Sequence, residues 1–352
     1  MAGIDWRELY AHNQAAIARA GVAPSQRPKL PLPGRVPGGV AAASTGVQRG
    51  ATLAENRRRA LVHVPGGLDV TKPAPLVCML HGCTQNPATF AAATLINAEA
   101  DRHGFVVVYP GQERSRNAQG CWNWFLPEHQ QRGTGEPATI AGMVCDLIDT
   151  NSQCTIDPER VFVAGLSSGG AMAAILGACY PDLFSAVAVH SGLAYRSAIS
   201  MGSAFDAMKR GGADAEVQGH AAHAAMGTRA RPLPSIVIQG TADHTVAPAN
   251  AIQVLRQSMT ANRLAAPGIC DHRAEHPTSS RRGQTDGGHP YTQSQWKDGR
   301  GTLWHELLMV DGLGHAWSGG AAGGSHTDPR GPSATEAIWT FFATTFADPP
   351  PG

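Results

Sequence analysis

Residues 161–179 read VFVAGLSSGGAMAAILGAC, in which an apolar, strand-like segment passes through glycines into an alanine-rich, helix-like segment. The pentapeptide GLSSG (165–169) lies at this junction. A tight turn between a strand and a helix leaves no room for side chains at its flanks, so glycine is expected there and the central serine is held up at the sheet edge. The positive end of the following helix favours negative charge beside that serine. Ser167 is therefore the candidate nucleophile.

Short apolar runs recur from Arg59 onward, with helix-like stretches between them. Their near-continuous hydrophobicity predicts strands buried on both faces, as in a parallel sheet that helices cover on both sides. The runs are ALVHVP (60–65), PLVCML (75–80), FVVVYP (105–110), VFVAG (161–165), AVAVHSG (186–192) and SIVIQG (235–240). Helices are predicted at about 88–102, 137–150, 169–179 and 249–261, and a hairpin around residues 299–301 at the sheet edge. The predicted class is α/β, with a mostly parallel central sheet flanked by helices.

The N-terminal part of the chain has a different texture. Residues 5–20 predict a short amphipathic helix, and the stretch from Pro24 is rich in Pro and Gly, which resist regular structure. We expect residues 1–50 to form an arm and residues 51–350 to form the catalytic domain. Residues 195–232 are rich in Ala, Gly and Met without a strand signal, which indicates a cap segment over the site.

The composition excludes several partner classes. Hydrophobic residues make up 42% and charged residues 16%, as in a folded globular protein. Because 28 Lys and Arg oppose 27 Asp and Glu, there is no broad basic surface and nucleic acid is not an expected partner. No apolar run approaches a membrane span, and the N-terminus lacks the apolar core of a secretion signal. We therefore expect no membrane partner and favour a cytoplasmic location, with an extracellular one and the oligomeric state left open.

A second motif, HGCTQ (81–85), directly follows the strand PLVCML. An oxyanion hole takes one backbone N–H from the residue after the nucleophile, here Ser168, and one from a loop after an earlier strand. Cys83 is the predicted second donor, and His81 is expected to buttress the loop. Gln85 is a candidate substrate contact. The alternative is a plain strand-ending turn.

The acid and the base follow the serine in the order Ser, Asp or Glu, His when such an elbow belongs to an α/β-hydrolase. Asp243 follows the strand SIVIQG, at the carboxyl end where these sheets place catalysts. His315 stands on a glycine-flanked loop after the last predicted strand. Asp243 is therefore the predicted acid and His315 the predicted base. The alternatives are Asp311, His244 and His326.

Five stretches together resemble the polyhydroxybutyrate depolymerase family of esterases. They are LHGCTQN (80–86), CWNWF (121–125), ID..RVFVAGLSSGGAMAA (156–174), GTADHTVAPAN (240–250) and GLGHAWSGG (312–320), in the family's own order over about residues 50–345. The resemblance implies an α/β-hydrolase fold with Ser167, Asp243 and His315 as catalytic triad. It also implies the Cys83 and Ser168 amides as oxyanion hole. Family members hydrolyse esters of short hydroxyacids, or related acetyl, feruloyl and synthetic polyester bonds, so a serine carboxylesterase is expected.

The same resemblance implies a disulfide between Cys83 and Cys121, which would hold the Cys83 N–H in place before charge develops. Two buried thiols are the alternative in a reducing cytosol. A second bridge between Cys145 and Cys154 is left open. Small core residues are expected at Cys78, Cys179 and Cys270.

Two features depart from the family. Ser168 stands where alanine is usual, with little expected effect because it acts through its backbone. No polymer-binding module follows His315, so soluble oligomers or amorphous material are the expected substrates rather than a crystalline polymer.

Aromatic residues lie beside two of these motifs. Trp124 and Trp317 are candidate substrate contacts that would form an apolar wall for an acyl chain, with a core role as the alternative. No zinc-type ligand spacing and no phosphate-binding loop occur, so neither metal nor cofactor is expected. A feruloyl, acetylxylan or synthetic-polyester esterase is the alternative within esterases. A catalytically silent hydrolase-fold binding protein is the alternative of another class.

Overall fold

The computed structural model describes residues 47–52, 59–150 and 154–345. The helix predicted at 5–20 and most of the predicted arm lie outside these ranges. Strand β1 (Val47–Thr52) begins within the stretch assigned to the arm and pairs with the sheet. The division into an arm and a catalytic domain stays a prediction.

Ten strands of the described ranges form one sheet in the order β1-β2-β4-β3-β5-β6-β7-β10-β9-β8. After β1 they are β2 (Arg59–Val64), β3 (Ala74–Leu80), β4 (Val106–Pro110), β5 (Ile156–Leu166), β6 (Ala186–His190), β7 (Ser235–Gly240), β8 (Ser279–Gln284), β9 (Pro290–Lys297) and β10 (Leu303–Val310). The six strands from β4 to β10 in this order run parallel, and the outer strands pair antiparallel. All six predicted runs are strands, and the predicted hairpin is β9–β10, with β8 outside it.

The helices of the described part are α1 (Pro87–Thr94), α2 (Ile96–His103), α3 (Gly135–Thr150), α4 (Ser168–Cys179), α5 (Met201–Arg210), α6 (Ala215–Met226), α7 (Ala249–Ala265) and α8 (Ala334–Thr344). The helix predicted at 88–102 is divided by Leu95, which adopts a left-handed conformation with φ 61°. Helical periodicity does not signal such a break, because a left-handed non-glycine residue is uncommon. Sequence reasoning missed α8, and the predicted cap segment folds into α5 and α6.

The continuous hydrophobicity of the central strands has a structural reason. In β3 every residue is buried, and its side chains divide between the two sides of the sheet. Leu76 belongs to one core cluster and Val77 to the other. Helix α8 covers the second side, where Trp339 stacks on Phe105 with ring centroids 3.9 Å apart. Fully burying a large apolar side chain contributes about 1.5–3 kcal/mol, so this unpredicted helix completes the second core.

The elements that follow the parallel strands place their loops along one edge of the sheet. The turn between β5 and α4 and the loops after β3, β7 and β10 all lie at the carboxyl ends of parallel strands. This is the arrangement of the α/β-hydrolase fold, as predicted. In the described part of the chain, no helix has the length and apolarity needed to cross a bilayer.

Candidate active site

Ser167 lies on a sharp turn that only glycines can flank. Its backbone has φ 58° and ψ −119°, a sparsely populated region that costs on the order of 1–3 kcal/mol. A Cβ added to Gly165 would lie 2.3 Å from the Gly169 carbonyl carbon, and a Cβ added to Gly169 would lie 2.1 Å from the Leu80 oxygen. The Ser167 N–H donates to the His190 carbonyl at 2.9 Å, which holds the turn in place. The close packing explains the glycine positions of the GLSSG motif.

The loop after β3 uses most of its own amides. The Gly82 N–H donates to Gln85 Oε1 at 2.9 Å, the Thr84 N–H to the Gln119 carbonyl at 2.7 Å, and the Gln85 N–H to the Gly82 carbonyl at 3.4 Å. Among the described residues, none accepts from the Cys83 N–H. The Ser168 N–H lies in the first turn of α4, where a helix offers no internal acceptor. Cys83 and Ser168 line one cleft together, and their side-chain Sγ and Oγ atoms lie 3.5 Å apart.

A disulfide joins Cys83 to Cys121, with the Cα atoms 4.2 Å apart, as the resemblance implied. It ties the loop after β3 to the CWNWF segment. Cys145 is a free, exposed thiol, so the bridge to Cys154 is not formed. The three cysteines expected in the core, Cys78, Cys179 and Cys270, are buried free thiols. Burial raises their thiol pKa values, to about 12 for Cys179 and Cys270, which makes them poor nucleophiles.

The buried ring of His81 supports the loop after β3 through hydrogen bonds. It is fully buried, and burial lowers the pKa of its imidazole to about 4, so the ring is neutral. Nδ1 lies 2.8 Å from the Gly82 carbonyl and therefore carries the hydrogen, while Nε2 accepts from the Gln112 N–H at 3.1 Å. Trp122 Nε1 donates to the His81 carbonyl at 3.0 Å. The ring thus buttresses the loop, as expected from the sequence.

Buried Asp243 and partly exposed His315 form a hydrogen-bonded pair. The Asp243 Oδ2 atom lies 2.7 Å from His315 Nδ1 and also accepts from Gln239 Nε2 at 3.0 Å. Oδ1 accepts from the Thr245 N–H at 2.9 Å and from the Val246 N–H at 2.8 Å. Burial alone would raise the pKa of this carboxyl, but the hydrogen bonds, first that from His315, outweigh it and lower the pKa. Asp243 is therefore an ionised acceptor.

Of the three alternative triad residues, only His326 has a ring contact with the Asp243–His315 pair. Asp311 and His244 are exposed loop residues. The His326 ring lies edge-on to the His315 ring, with the centroids 6.4 Å apart. Burial, and then the nearby His315, lower the pKa of His326.

Sequence reasoning missed Gln239 and His190. Gln239 is fully buried near the end of β7 and steadies Asp243. His190 ends β6, and its ring accepts on Nε2 from the Ser318 N–H at 3.1 Å. Burial, and then His315, lower the pKa of His190 to about 3, so its ring is neutral. A polar residue at the end of an otherwise apolar strand was the available signal for both.

Ser167 opens into a cleft at the surface of the protein. Its walls are mostly apolar and come from the loops after β3 and β6, the CWNWF segment and α5. The lining residues other than Cys83, Ser167 and Ser168 are Asn117, Gln119, Cys121, Trp124, Phe125, Leu193, Met201, Ala204, Phe205, Met208 and Val246. Trp124 thus lies where a substrate contact was expected.

Two predicted substrate contacts lie elsewhere. Trp317 is fully buried in the second core, where its Nε1 donates to Thr335 Oγ1 at 3.1 Å and its indole meets Phe90 edge-on. The side-chain amide of Gln85 is used within the protein, because Oε1 accepts from Gly82 and Nε2 donates to the Ser325 carbonyl at 2.8 Å. Both assignments are corrected, since Trp317 packs the core and Gln85 fixes the loop after β3.

No three His, Cys, Asp or Glu side chains of the described ranges gather in a way that could hold a metal ion. The hydroxyl of Ser167 and the backbone amides of Cys83 and Ser168 belong to residues that line the cleft, and the Asp243–His315 pair lies on loops at the same edge of the sheet.

Comparison with known proteins identifies the family. The family model for the PHB depolymerase esterases matches residues 59–277. Poly(3-hydroxyalkanoate) depolymerase C of Paucimonas lemoignei is 36% identical over 256 residues, which cover 72% of this chain and 57% of that protein. Feruloyl esterase B of Neurospora crassa is 36% identical over 137 residues, which cover 39% of this chain and 44% of that protein.

A solved structure supports the fold. An acetyl xylan esterase from Aspergillus awamori superposes with a TM-score of 0.65 at 21% identity, covering 85% of this chain and 100% of that one. The chain spans about half the length of the curated relatives it matches. On the family match and the identity to the depolymerase, the chain belongs to the PHB depolymerase family of esterases.

Proposed function

We propose that this protein is a serine carboxylesterase that hydrolyses short-acyl or hydroxyacid esters through an acyl-enzyme. In this proposal Ser167 is the nucleophile, His315 the base and Asp243 the acid. The observation that carries it is the 2.7 Å contact between His315 Nδ1 and Asp243 Oδ2, on loops at the same sheet edge as the Ser167 turn. Family membership supports it, since the relatives are named as depolymerases and esterases.

The geometry suggests the order of events. Because His315 Nδ1 donates to the ionised Asp243, its Nε2 is the basic nitrogen that takes the proton of Ser167 during attack on the ester carbonyl. His315 then returns that proton to the leaving alcohol. His315 then takes a proton from a water molecule as that water attacks the acyl-enzyme, and it gives this proton to Ser167 Oγ as the bond to the acyl group breaks, which releases the acid and restores the Ser167 hydroxyl.

The proposed oxyanion hole consists of the Cys83 and Ser168 backbone N–H groups. Both residues line the cleft beside Ser167, and neither amide has an acceptor within the described residues. One such donor typically contributes about 2.7–4 kcal/mol of transition-state stabilisation. The disulfide and the neutral His81 ring hold the Cys83 loop, so the donor is in place before charge develops.

A feruloyl-type or other aromatic ester is the second candidate substrate. Trp124 and Phe125 line the cleft and meet edge-on, with ring centroids 5.6 Å apart, and such a corner suits a flat acyl group. A relative named feruloyl esterase B shares 36% identity over part of the chain.

The disulfide also bears on location. Disulfides persist in oxidising compartments and are rare in the cytosol. We therefore propose the extracellular alternative over the cytoplasmic one that the N-terminal sequence favoured.

The test is a comparison of wild type with Ser167→Ala on p-nitrophenyl acetate, butyrate and octanoate, 3-hydroxybutyrate oligomers, methyl ferulate and acetylated xylan. Ser280→Ala, an exposed serine on β8, is the matched control. We expect Ser167→Ala to lower kcat by roughly 10⁴-fold or more and the control to match wild type. Activity that survives Ser167→Ala would remove this serine from the mechanism. Turnover of methyl ferulate above that of every aliphatic ester would favour the second candidate.

A further inference from the structure

One wall of the cleft is a single helix face. Met201, Ala204, Phe205 and Met208 of α5 all line the cleft, and their spacing of three and four residues places them on one side of the helix. The opposite side of α5 carries exposed charge, including Arg210. Residues on this apolar face are therefore the part of α5 that a bound acyl group would meet.

Ala204 occupies the inner part of this face. It is only 2% exposed although it lines the cleft, whereas Met201, Phe205 and Met208 are half-buried. Leu193 is another lining residue with almost no exposure, at 1%. The long side chains thus flank the opening, and at depth α5 presents only a methyl group.

The position of α5 is fixed by the loop that carries the acid and by the first turn of α7, which follows that loop. Asn250 Nδ2 donates to the Ala207 carbonyl at 3.0 Å and to the Met208 carbonyl at 3.3 Å, and the Ala247 N–H donates to the same Met208 carbonyl at 2.7 Å. Asn250 is fully buried. Because these bonds hold the last turn of α5, a larger side chain at its inner face would take up cleft volume and not move the helix.

In the proposed mechanism the acyl group is the part of the substrate that stays longest at Ser167, which itself lines this cleft. After attack the alcohol leaves, while the acyl group stays covalently bound to Ser167 until water releases it. An enclosed apolar wall therefore favours a chain of limited length at the acyl position. A single methylene more or less in such a pocket is typically worth 10-fold or more in specificity.

We infer that Ala204 determines the length of the acyl group, because its small side chain leaves the space that a chain longer than acetyl occupies. This inference rests on the proposed esterase function and names its substrate class as esters of short aliphatic acids longer than acetate. Ala204 acts by the volume it leaves and takes no part in bond making or breaking.

The experiment compares wild type, Ala204→Leu and the control Arg210→Leu, which places the same side chain on the exposed side of α5. We measure kcat/KM for p-nitrophenyl acetate, butyrate and octanoate. In Ala204→Leu, we expect the octanoate value to fall roughly 10-fold or more and the acetate value to stay within about twofold. The control should keep the wild-type profile. An unchanged ratio of octanoate to acetate, or an equal loss on all three esters, would overturn the inference.

A second variant covers the case in which Ala204→Leu does not fold, as judged by circular dichroism. Met208→Ala shortens a flanking side chain of the same face and should raise the ratio of octanoate to acetate by about threefold or more. An unchanged or lower ratio in folded Met208→Ala would then overturn the inference. A failure of the esterase proposal looks different, because wild type would hydrolyse none of the esters or Ser167→Ala would stay active.

Discussion

The imidazole of His190 stacks on the indole of Trp317, with ring centroids 5.0 Å apart and an interplanar angle of 23°. The same ring accepts from the Ser318 N–H, and the His190 carbonyl accepts from the Ser167 N–H at 2.9 Å. His315 precedes Ser318 by three residues on the same loop. His190 therefore links the turn of the proposed nucleophile to the loop that carries His315. Trp317 belongs to the packing that positions this loop, which explains why it lies away from the cleft.

Replacing His190 should weaken catalysis more than binding. His190→Phe keeps a ring to stack on Trp317 but removes the acceptor for the buried Ser318 N–H, and an unsatisfied buried donor costs about 1–3 kcal/mol. We expect kcat to fall about 10-fold or more with a small change in KM. His190→Gln, which can still accept from Ser318, should recover part of the loss. Wild-type kcat in a folded His190→Phe protein would contradict this role.

The turn glycines should not tolerate a methyl group. A Cβ at Gly169 would meet the Leu80 oxygen at 2.1 Å, so Gly169→Ala should abolish activity or prevent folding. The matched control is Gly142→Ala in α3, where a Cβ would meet nothing within 4 Å. Because alanine is the better helix former, the control should gain about 0.8–1 kcal/mol in the free energy of unfolding. Expression, thermal melting and esterase assays of the two variants are the measurements. An active, stable Gly169→Ala protein would contradict the close approach of Gly169 to Leu80.

The disulfide should contribute to both stability and activity. It closes a loop with a sequence separation of 38, and such bridges typically contribute 2–4 kcal/mol, so Cys121→Ser should lower the free energy of unfolding by about that amount. Because the Cys83 loop loses an anchor, kcat should fall about 10-fold. Cys145→Ser, at an exposed free thiol, should change neither quantity. Urea unfolding gives the free energy of unfolding and ester assays give kcat. Equal values of these two quantities in Cys121→Ser and Cys145→Ser would argue against a role of the disulfide in anchoring the Cys83 loop.

Acid should destabilise the fold through buried histidines. Burial lowers the pKa of His81 to about 4 and that of His190 and His305 to about 3, each below the value of about 6.5 in an unfolded chain. The folded state thus binds fewer protons below pH 6.5. The stability they confer is complete above that pH and is lost as the pH falls toward 3, by up to about 1.4 kcal/mol per pH unit for each histidine.

The measurement is urea unfolding from pH 7.5 to 4.5. The free energy of unfolding should be flat above about pH 6.5 and decline below it. His305 lies on β10, away from the proposed catalytic residues. His305→Gln should therefore reduce the slope of the free energy of unfolding against pH by the contribution of one bound proton. A free energy of unfolding that stays constant down to pH 4.5 would be inconsistent with neutral buried histidines.

Local patterns predicted the parts of the fold whose cause is local. The six apolar runs became strands because their residues are buried on both sides of the sheet, a property that the continuous hydrophobicity states directly. Helix α8 escaped prediction although it packs Trp339 and Phe342 onto the second core. Leu95 divides a predicted helix by a left-handed backbone conformation that no hydrophobic period reports.

The order of motifs and the glycines of the turn were determined by the sequence itself, because a strand, a tight bend and a helix are specified by neighbouring residues. Whether an apolar or polar side chain meets the cleft or the core was decided only by the tertiary structure. Trp124 and Trp317 are equally apolar, yet Trp124 lines the cleft and Trp317 packs under His190. The physical reason is that burial depends on which distant segment covers a residue, and that segment is brought into place only by folding.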